Sequence, residues 1–347
     1  MFKNIKMTKK INESTVKWGI LGVGDVCEVK SAPAMQLIKN AELVAVMRRN
    51  GAKAKDYAQR HQVPKWYDQA DDLINDPDVN AIYIATPPYA HEALTIQAAQ
   101  AGKPVYVEKP MATSFAACTQ MVEACERFNV PLYVAYYRRM LPDFLKLKQL
   151  IESGAIGTVR LVKIELYQSI DPAIVAKTVS NMPENWRIDP KIAGGGYFFD
   201  LAAHQLDYLD YVFGPIQSVN GCAANQAGLY QAADIVTGSF TFKNGIQVVG
   251  SWCFTVDKTA VKDELTIIGT EGQLSLSFFG PAEIKLERSS EESSQQFHFD
   301  LPKHIQQPLI QTIVDDLLGV GCCPSTGKSA ARTNWVLEEM TKNYYSV

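Results

Sequence analysis

The sequence predicts two domains in tandem: an α/β unit with a doubly wound parallel sheet, then an α+β unit with a large, mostly antiparallel sheet. Three observations predict this. The chain has 347 residues, too many for one ordinary core and enough for two. Residues 16–137 alternate short apolar runs with helical stretches, the order of successive β–α–β units. After Pro142 the texture changes to strand-like alternating runs joined by turns such as Lys243-Asn244-Gly245 and Thr270-Glu271-Gly272. The expected boundaries are a loose, lysine-rich leader over residues 1–15, a first domain over 16–137 and a second over 138–347.

In the first domain, Val16 to Leu21 is a short apolar strand that runs into Gly22-Val23-Gly24-Asp25-Val26-Cys27. A strand, a glycine turn and a helix form the context in which G-x-G-x-x-(G/A) binds a dinucleotide. The first glycine makes the turn, the second lets the backbone approach the pyrophosphate, and the third position needs a small residue for packing. Here that third position is Cys27. The segment with Ala32, Ala34, Met35, Leu37 and Ile38 supplies a crossover helix to a second strand, Ala41 to Val46. These features predict a Rossmann-type domain. The second strand ends in Met47-Arg48-Arg49-Asn50, with Lys53 close behind. An acid there would serve a ribose 2′-hydroxyl, whereas two guanidiniums suit a dianionic 2′-phosphate. NADP(H) is therefore favoured; solvated arginines, or arginines stacked on adenine, leave NAD(H) open.

A helix over Ala52–Gln62, a strand at Lys65–Tyr67, a helix over Asp68–Asn75 and a turn at Asp76-Pro77-Asp78 follow. The buried strand Ala81–Ala85 ends in Thr86-Pro87-Pro88, a rigid wall at a carboxyl end, where ligands of open parallel sheets bind. His91 opens a helix that runs to Ala101-Gly102. Lys103 to Pro110 is the next strand, ending in Glu108-Lys109-Pro110. An ammonium at the mouth of a buried strand loses hydration unless a partner or a ligand compensates. Either Lys109 does chemistry, or Lys109 and Glu108 are a solvated pair. A helix over Thr113–Phe128 and a strand over Pro131–Tyr136 complete the unit.

In the second domain a helix over Asp143–Ser153 ends at Gly154. The expected strands are 158–168, 216–224, 235–242, 246–255, 264–269, 273–277, 282–288 and 296–301. One helix, from about Tyr197 to Val212, interrupts them. It follows Gly194-Gly195-Gly196 and carries Asp200, His204 and Asp207 at i, i+4 and i+7, on one face. A histidine one turn from a carboxylate is a candidate acid/base; the alternative is a polar face with no chemistry. Two ligands one turn apart do not make a metal site, so no metal is expected. The C-terminal helices, Gln307–Leu318 and Ser329–Tyr344, are free to pack back on the first domain.

Composition narrows the function. The chain is 47% hydrophobic and 20% charged with a net charge of −3, which gives no pull toward nucleic acid or anionic membrane. No apolar run approaches the ~18–20 residues that span a bilayer. Seven cysteines without a CxxC pair predict reduced thiols and a cytoplasmic location.

A glycine turn, Glu108-Lys109-Pro110 and a GGG-x3-D-x3-H helix, in that order, resemble the Gfo/Idh/MocA family (glucose–fructose oxidoreductase, inositol dehydrogenase and rhizopine catabolism). Flanking pieces match too: Thr86-Pro87-Pro88 with His91, Tyr137-Arg138-Arg139 with Pro142, Gly154-Ala155-Ile156-Gly157 and Asn185-Trp186-Arg187-Ile188-Asp189-Pro190. The resemblance runs from Val16 to the C-terminus. It implies an NAD(P)-dependent oxidoreductase acting on a sugar, inositol or related polyol, with Lys109, Asp200 and His204 as catalytic residues. Residue reading and resemblance together give the cofactor set Gly22, Gly24, Asp25, Val26, Arg48, Arg49, Thr86, Pro87, His91, Glu108 and Lys109; the departures from the family pattern are Cys27, where a glycine or alanine is usual, and Arg48, where NAD-using members carry an acid. The implied substrate set is Tyr137, Arg139, Trp186, Arg187, Asp200 and His204. A homodimer or homotetramer through the C-terminal sheet is expected. Competing readings are an NAD-dependent glycosidase and a non-catalytic sugar or nucleotide sensor on the same scaffold.

Overall fold

The computed structural model describes residues 11–170 and 186–345. Residues 1–10 of the expected leader, and Asn185, lie outside the described residues. The chain forms two compact units. One runs to Tyr137 and includes Pro302–Ala331; the other is Arg138–Leu301 with the chain from Arg332 onward.

The first unit holds a six-stranded parallel sheet made of β1 (Val16–Leu21), β2 (Ala41–Met47), β3 (Lys65–Tyr67), β4 (Ala81–Ile84), β5 (Val105–Val107) and β6 (Leu132–Val134). Their order is β3-β2-β1-β4-β5-β6, and every neighbouring pair is parallel. The β4 and β5 side chains are all buried, which explains their unbroken apolar runs: helices cover both faces of such a sheet. These helices are α1 (Asp25–Val29), α2 (Ala32–Leu37), α3 (Gly51–Arg60), α4 (Ala70–Ile74), α5 (His91–Gln100) and α6 (Phe115–Arg127). The single crossover helix expected before β2 is two short helices. Pro33 sits in the first turn of α2, where its missing N–H costs nothing, and it prevents α1 from continuing through Ser31. Strand order reverses between β1 and β4, the switch point where ligands of such sheets bind.

The second unit holds an eight-stranded sheet, ordered β14-β13-β12-β11-β7-β10-β9-β8. Its strands are β7 (Val159–Tyr167), β8 (Ile216–Ala224), β9 (Ile235–Phe242), β10 (Gln247–Cys253), β11 (Lys262–Gly269), β12 (Gln273–Leu276), β13 (Glu283–Glu287) and β14 (Gln295–His298). All neighbours are antiparallel except β10 and β7, so the sheet is mostly antiparallel. The helices are α7 (Pro142–Glu152), α8 (Pro190–Ala193) and α9 (Gly196–Phe213); then α10 (Gln307–Leu317) belongs to the first unit and α11 (Gly327–Tyr345) contributes to both. Helix α9 lies on the sheet's apolar face: Phe198 meets Trp252 edge-on at 5.1 Å, and the Trp252 indole N–H donates to Gln205 Oε1 at 2.7 Å.

Candidate active site

In the first unit the glycine turn closes on the neighbouring strands. The Gly22 and Val23 amides donate to the Met47 carbonyl at 2.9 and 3.2 Å, tying the turn to the end of β2. Gly22 has φ +91°, and a Cβ there would stand 2.6 Å from Thr86 Cγ2. Only glycine fits, because the conformation is left-handed and Thr86 fills the space. A Cβ on Gly24 would meet nothing nearer than 3.9 Å, so the protein leaves the approach to that backbone open. Asp25 and Val26 begin α1, and Cys27, its third residue, is fully buried, as a small packing residue should be.

The end of β2 supplies the charge. Arg48 is half-buried and its amide donates to the Tyr67 carbonyl at 3.2 Å; Arg49 is exposed. Among the described residues, neither guanidinium has a carboxylate partner. At the end of β4, Thr86 Oγ1 is buried without a hydrogen-bond partner, beside Pro87. An open backbone approach at Gly24 and an orphaned hydroxyl at the end of β4, with two unneutralised cations at the end of β2, fit a dinucleotide.

His91 is placed differently from a ligand contact. It is fully buried, with Nε2 2.7 Å from the Thr86 carbonyl and Nδ1 3.2 Å from the Pro110 and Met111 carbonyls. Burial pulls its pKa down. The ring staples the ends of β4 and β5 together. Glu108 is no solvated strand end either: it is 9% exposed, and Oε1 accepts from the Tyr83 hydroxyl and from Gln306 Nε2, both at 2.7 Å. Its Oε2 accepts from the Lys109 amide at 3.2 Å. Lys109 is half-buried, and its bond to Pro110 is cis. Tyr137 is buried and opens a short 3₁₀ turn, Tyr137–Met140.

In the second unit the three glycines have distinct tasks. Gly194 and Gly196 have φ of +88° and +68°, and a Cβ on Gly195 would enter the Phe199 ring at 2.1 Å. The chain can enter α9 this tightly only without side chains. Asp200, His204 and Asp207 do share a face, but it is not a solvated one: His204 is 4% exposed. Asp200 accepts from Arg187 Nε at 3.1 Å, and the Arg187 guanidinium lies 4.5 Å from the Trp186 ring centre. Asp207 takes a two-pronged pair from Arg139, Nε at 2.8 Å and Nη2 at 2.5 Å, with both side chains 2% exposed. Burial pushes the Asp207 carboxyl up to about 6 against the pull of Arg139. Arg139 thus sits in the core, holding α9, rather than on a pocket wall.

The ring of His204 meets Phe279 at 6.2 Å, and Arg138 stacks 4.7 Å from the same phenylalanine. Sequence reading missed Arg138, Phe279, Tyr83 and Gln306. Phe279 and Gln306 lie 75 and 198 residues from the groups they serve, with no local signal. Tyr83 was legible, since its place on β4 pairs it with Tyr106 on β5. Among the described residues no cluster of three or more His, Cys, Asp or Glu is placed to hold a metal, and no helix is long and apolar enough to cross a membrane.

Comparison with known proteins bears on the fold and the family. Residues 16–136 match the oxidoreductase family with an NAD-binding Rossmann fold, and residues 144–275 match the Gfo/Idh/MocA C-terminal domain. The chain is 40% identical to oxidoreductase P35 of Formosa agariphila, over 94% of its own length and 98% of that protein's. It is 26% identical to the trans-1,2-dihydrobenzene-1,2-diol dehydrogenase of Xenopus laevis, over 84% and 83% of the two chains. Among solved structures, a levoglucosan dehydrogenase with NADH and levoglucosan superposes with TM-score 0.83 at 21% identity, over 94% of this chain and 96% of that one. A 3-ketoreductase from Actinomadura kijaniata with NADP and TDP-benzene gives TM-score 0.79 at 17% identity, over 95% and 97%. The two structural likenesses show the fold; the sequence matches, which span most of the chain, show that it is an enzyme of the Gfo/Idh/MocA family of NAD(P)-binding oxidoreductases.

Proposed function

We propose that this enzyme transfers hydride between NADP(H) and a CH–OH or C=O carbon of a sugar, inositol or related polyol. The reading rests on His204, buried one turn after Asp200 on a helix that only a glycine entry permits. Relatives named as dehydrogenases of a dihydrobenzene diol and of levoglucosan support a hydroxyl-bearing substrate. Arg48 and Arg49, without carboxylate partners among the described residues, support NADP(H) over NAD(H).

The nicotinamide, when bound, supplies the hydride acceptor or donor. The protein supplies the rest. A hydroxyl carbon releases hydride readily only if the hydroxyl proton leaves, so a base must come within about 2.6–3.2 Å of it. We assign that proton to His204. Lys109 orients the reacting oxygen and stabilises the charge that builds on it. Asp200, itself fixed by Arg187, positions substrate hydroxyls beside Trp186. Arg139, His91 and Glu108 hold the scaffold around these groups.

A panel of aldoses and polyols assayed with NADP⁺ and NAD⁺, followed by absorbance of the reduced nicotinamide, tests this reading. Turnover with NADP⁺ on at least one polyol is expected. Lys109→Met and His204→Ala should each lower kcat by about 10²–10⁴-fold, with the Kd for NADPH within about threefold of the parent. Unchanged turnover in either variant removes that residue from the mechanism.

A further inference from the structure

We propose that Gln306 is a positioning residue for Lys109, acting through the buried carboxylate of Glu108; this rests on the reading of Lys109 as a catalytic group. The argument begins with Tyr83 and Tyr106. They are register partners on β4 and β5, fully buried, with rings stacked at 4.7 Å and 20°. Burial holds both phenols well above their usual pKa, so their hydroxyls stay protonated and donate.

The two hydroxyls meet a complementary pair. Tyr106 donates to Gln306 Oε1 at 2.8 Å, Gln306 Nε2 donates to Glu108 Oε1 at 2.7 Å, and Tyr83 donates to the same oxygen at 2.7 Å. Each bond in such a chain polarises the next. The carboxylate is thereby turned so that Oε2 receives the Lys109 amide at 3.2 Å. The peptide that carries the lysine is pinned to an anion that cannot rotate. Gln306 itself is 1% exposed and precedes α10, in the returning segment of the first unit.

The chemistry demands an amide at 306. The position must offer one donor to a carboxylate and one acceptor to a phenol. Methionine offers neither of these at that strength. An ionised glutamate offers the acceptor only, and places a like charge against Glu108; a protonated one offers both. A reacting group displaced by about 1 Å loses on the order of 10²-fold in rate, so loss of this clamp should appear in kcat.

The test uses the full-length enzyme with the best substrate of the panel. Gln306→Met should lower kcat roughly 10- to 100-fold, with substrate KM and NADPH Kd within about twofold. Combined with Lys109→Met it should add no further loss, because both changes remove the same group's contribution. Gln306→Glu, an isosteric variant, should recover relative to the parent as pH falls and its carboxyl gains a proton. Losses that multiply in the double variant, a matching loss of NADPH affinity, or a Gln306→Glu to parent ratio flat with pH would each overturn the proposal. If Gln306→Met does not fold, that pH ratio decides alone. An inactive Lys109→Met beside a fully active Gln306→Met sinks this inference alone; an active Lys109→Met sinks the functional reading and this inference with it.

Discussion

Arg139→Met should be among the most destabilising single changes in the second unit. Methionine roughly keeps the length of the arginine stem, so the main loss is the charge and its two bonds to Asp207, at 2.8 and 2.5 Å. The carboxylate is left with the Thr333 hydroxyl at 3.4 Å, a weak donor geometry. Removing one partner of a buried ion pair costs about 3–5 kcal/mol. In a unit of this size that lowers the melting temperature by roughly 10 °C. The pH dependence has a definite sign. Burial already raises the Asp207 carboxyl to about 6, and losing Arg139 raises it further. A raised carboxyl keeps a proton in the folded state that the unfolded chain releases near its ordinary pKa of about 4. The folded state then binds more protons, so stability falls as pH rises through that window. The deficit of the variant should build above about pH 6 and shrink below it. Scanning calorimetry between pH 5 and 8 measures this. Arg139→Met/Asp207→Leu should regain most of the loss, because two apolar groups leave no stranded charge. A deficit below about 1 kcal/mol at pH 8, or one independent of pH, would refute the ion-pair account.

Other changes probe other parts of the molecule. Arg48→Asp should weaken NADPH roughly 10- to 100-fold, the worth of one or two charge-assisted bonds, and leave NADH within about threefold; fluorescence titration that shows equal losses rejects the 2′-phosphate assignment. Gly22→Ala combines a left-handed φ with a methyl 2.6 Å from Thr86 Cγ2. It should cost about 1–3 kcal/mol in urea unfolding, and a neutral outcome would mean the turn can relax. The hydrogen bond from Arg60 lowers the Glu28 carboxyl to about 2, with His61 adding to it. Its folded pKa lies below the unfolded value, so its contribution is present above about pH 4.3 and is lost as pH falls toward 2. Glu28→Gln should flatten that acid limb, and an unaltered limb assigns it to other groups.

Much of the fold was legible because local and long-range preferences agree. Unbroken apolar runs at Ala81–Ile84 and Val105–Val107 belong to strands covered on both faces, and the glycine turn sits where β1 meets β2 and β4. What was illegible depends on partners far along the chain. Nothing near Arg139 says that Asp207 will claim it, and nothing near Glu108 says that residue 306 will reach it. The pattern Asp200, His204, Asp207 was read correctly as one helical face, yet its three polar groups have different surroundings. Arg187 fixes the first, the Phe279 ring meets the second edge-on, and Arg139 neutralises the third. Spacing gives the face; only packing divides the labour along it.

The return of Pro302–Ala331 to the first unit has a consequence for how the protein is made. The Ser325 hydroxyl donates to the Val134 carbonyl at 2.7 Å, and the Ser325 carbonyl accepts from the Val134 amide at 3.2 Å, so the last strand of the parallel sheet is finished by residues translated almost two hundred positions later. The second unit also draws on the chain from Arg332 onward. Neither unit can be complete while the ribosome still holds the C-terminal helix. A chain ending at residue 137 would lack Gln306 and the Ser325 bonds that finish β6. A soluble nucleotide-binding fragment should therefore be sought by joining residues 16–137 to 302–331 through a short linker, not by truncation.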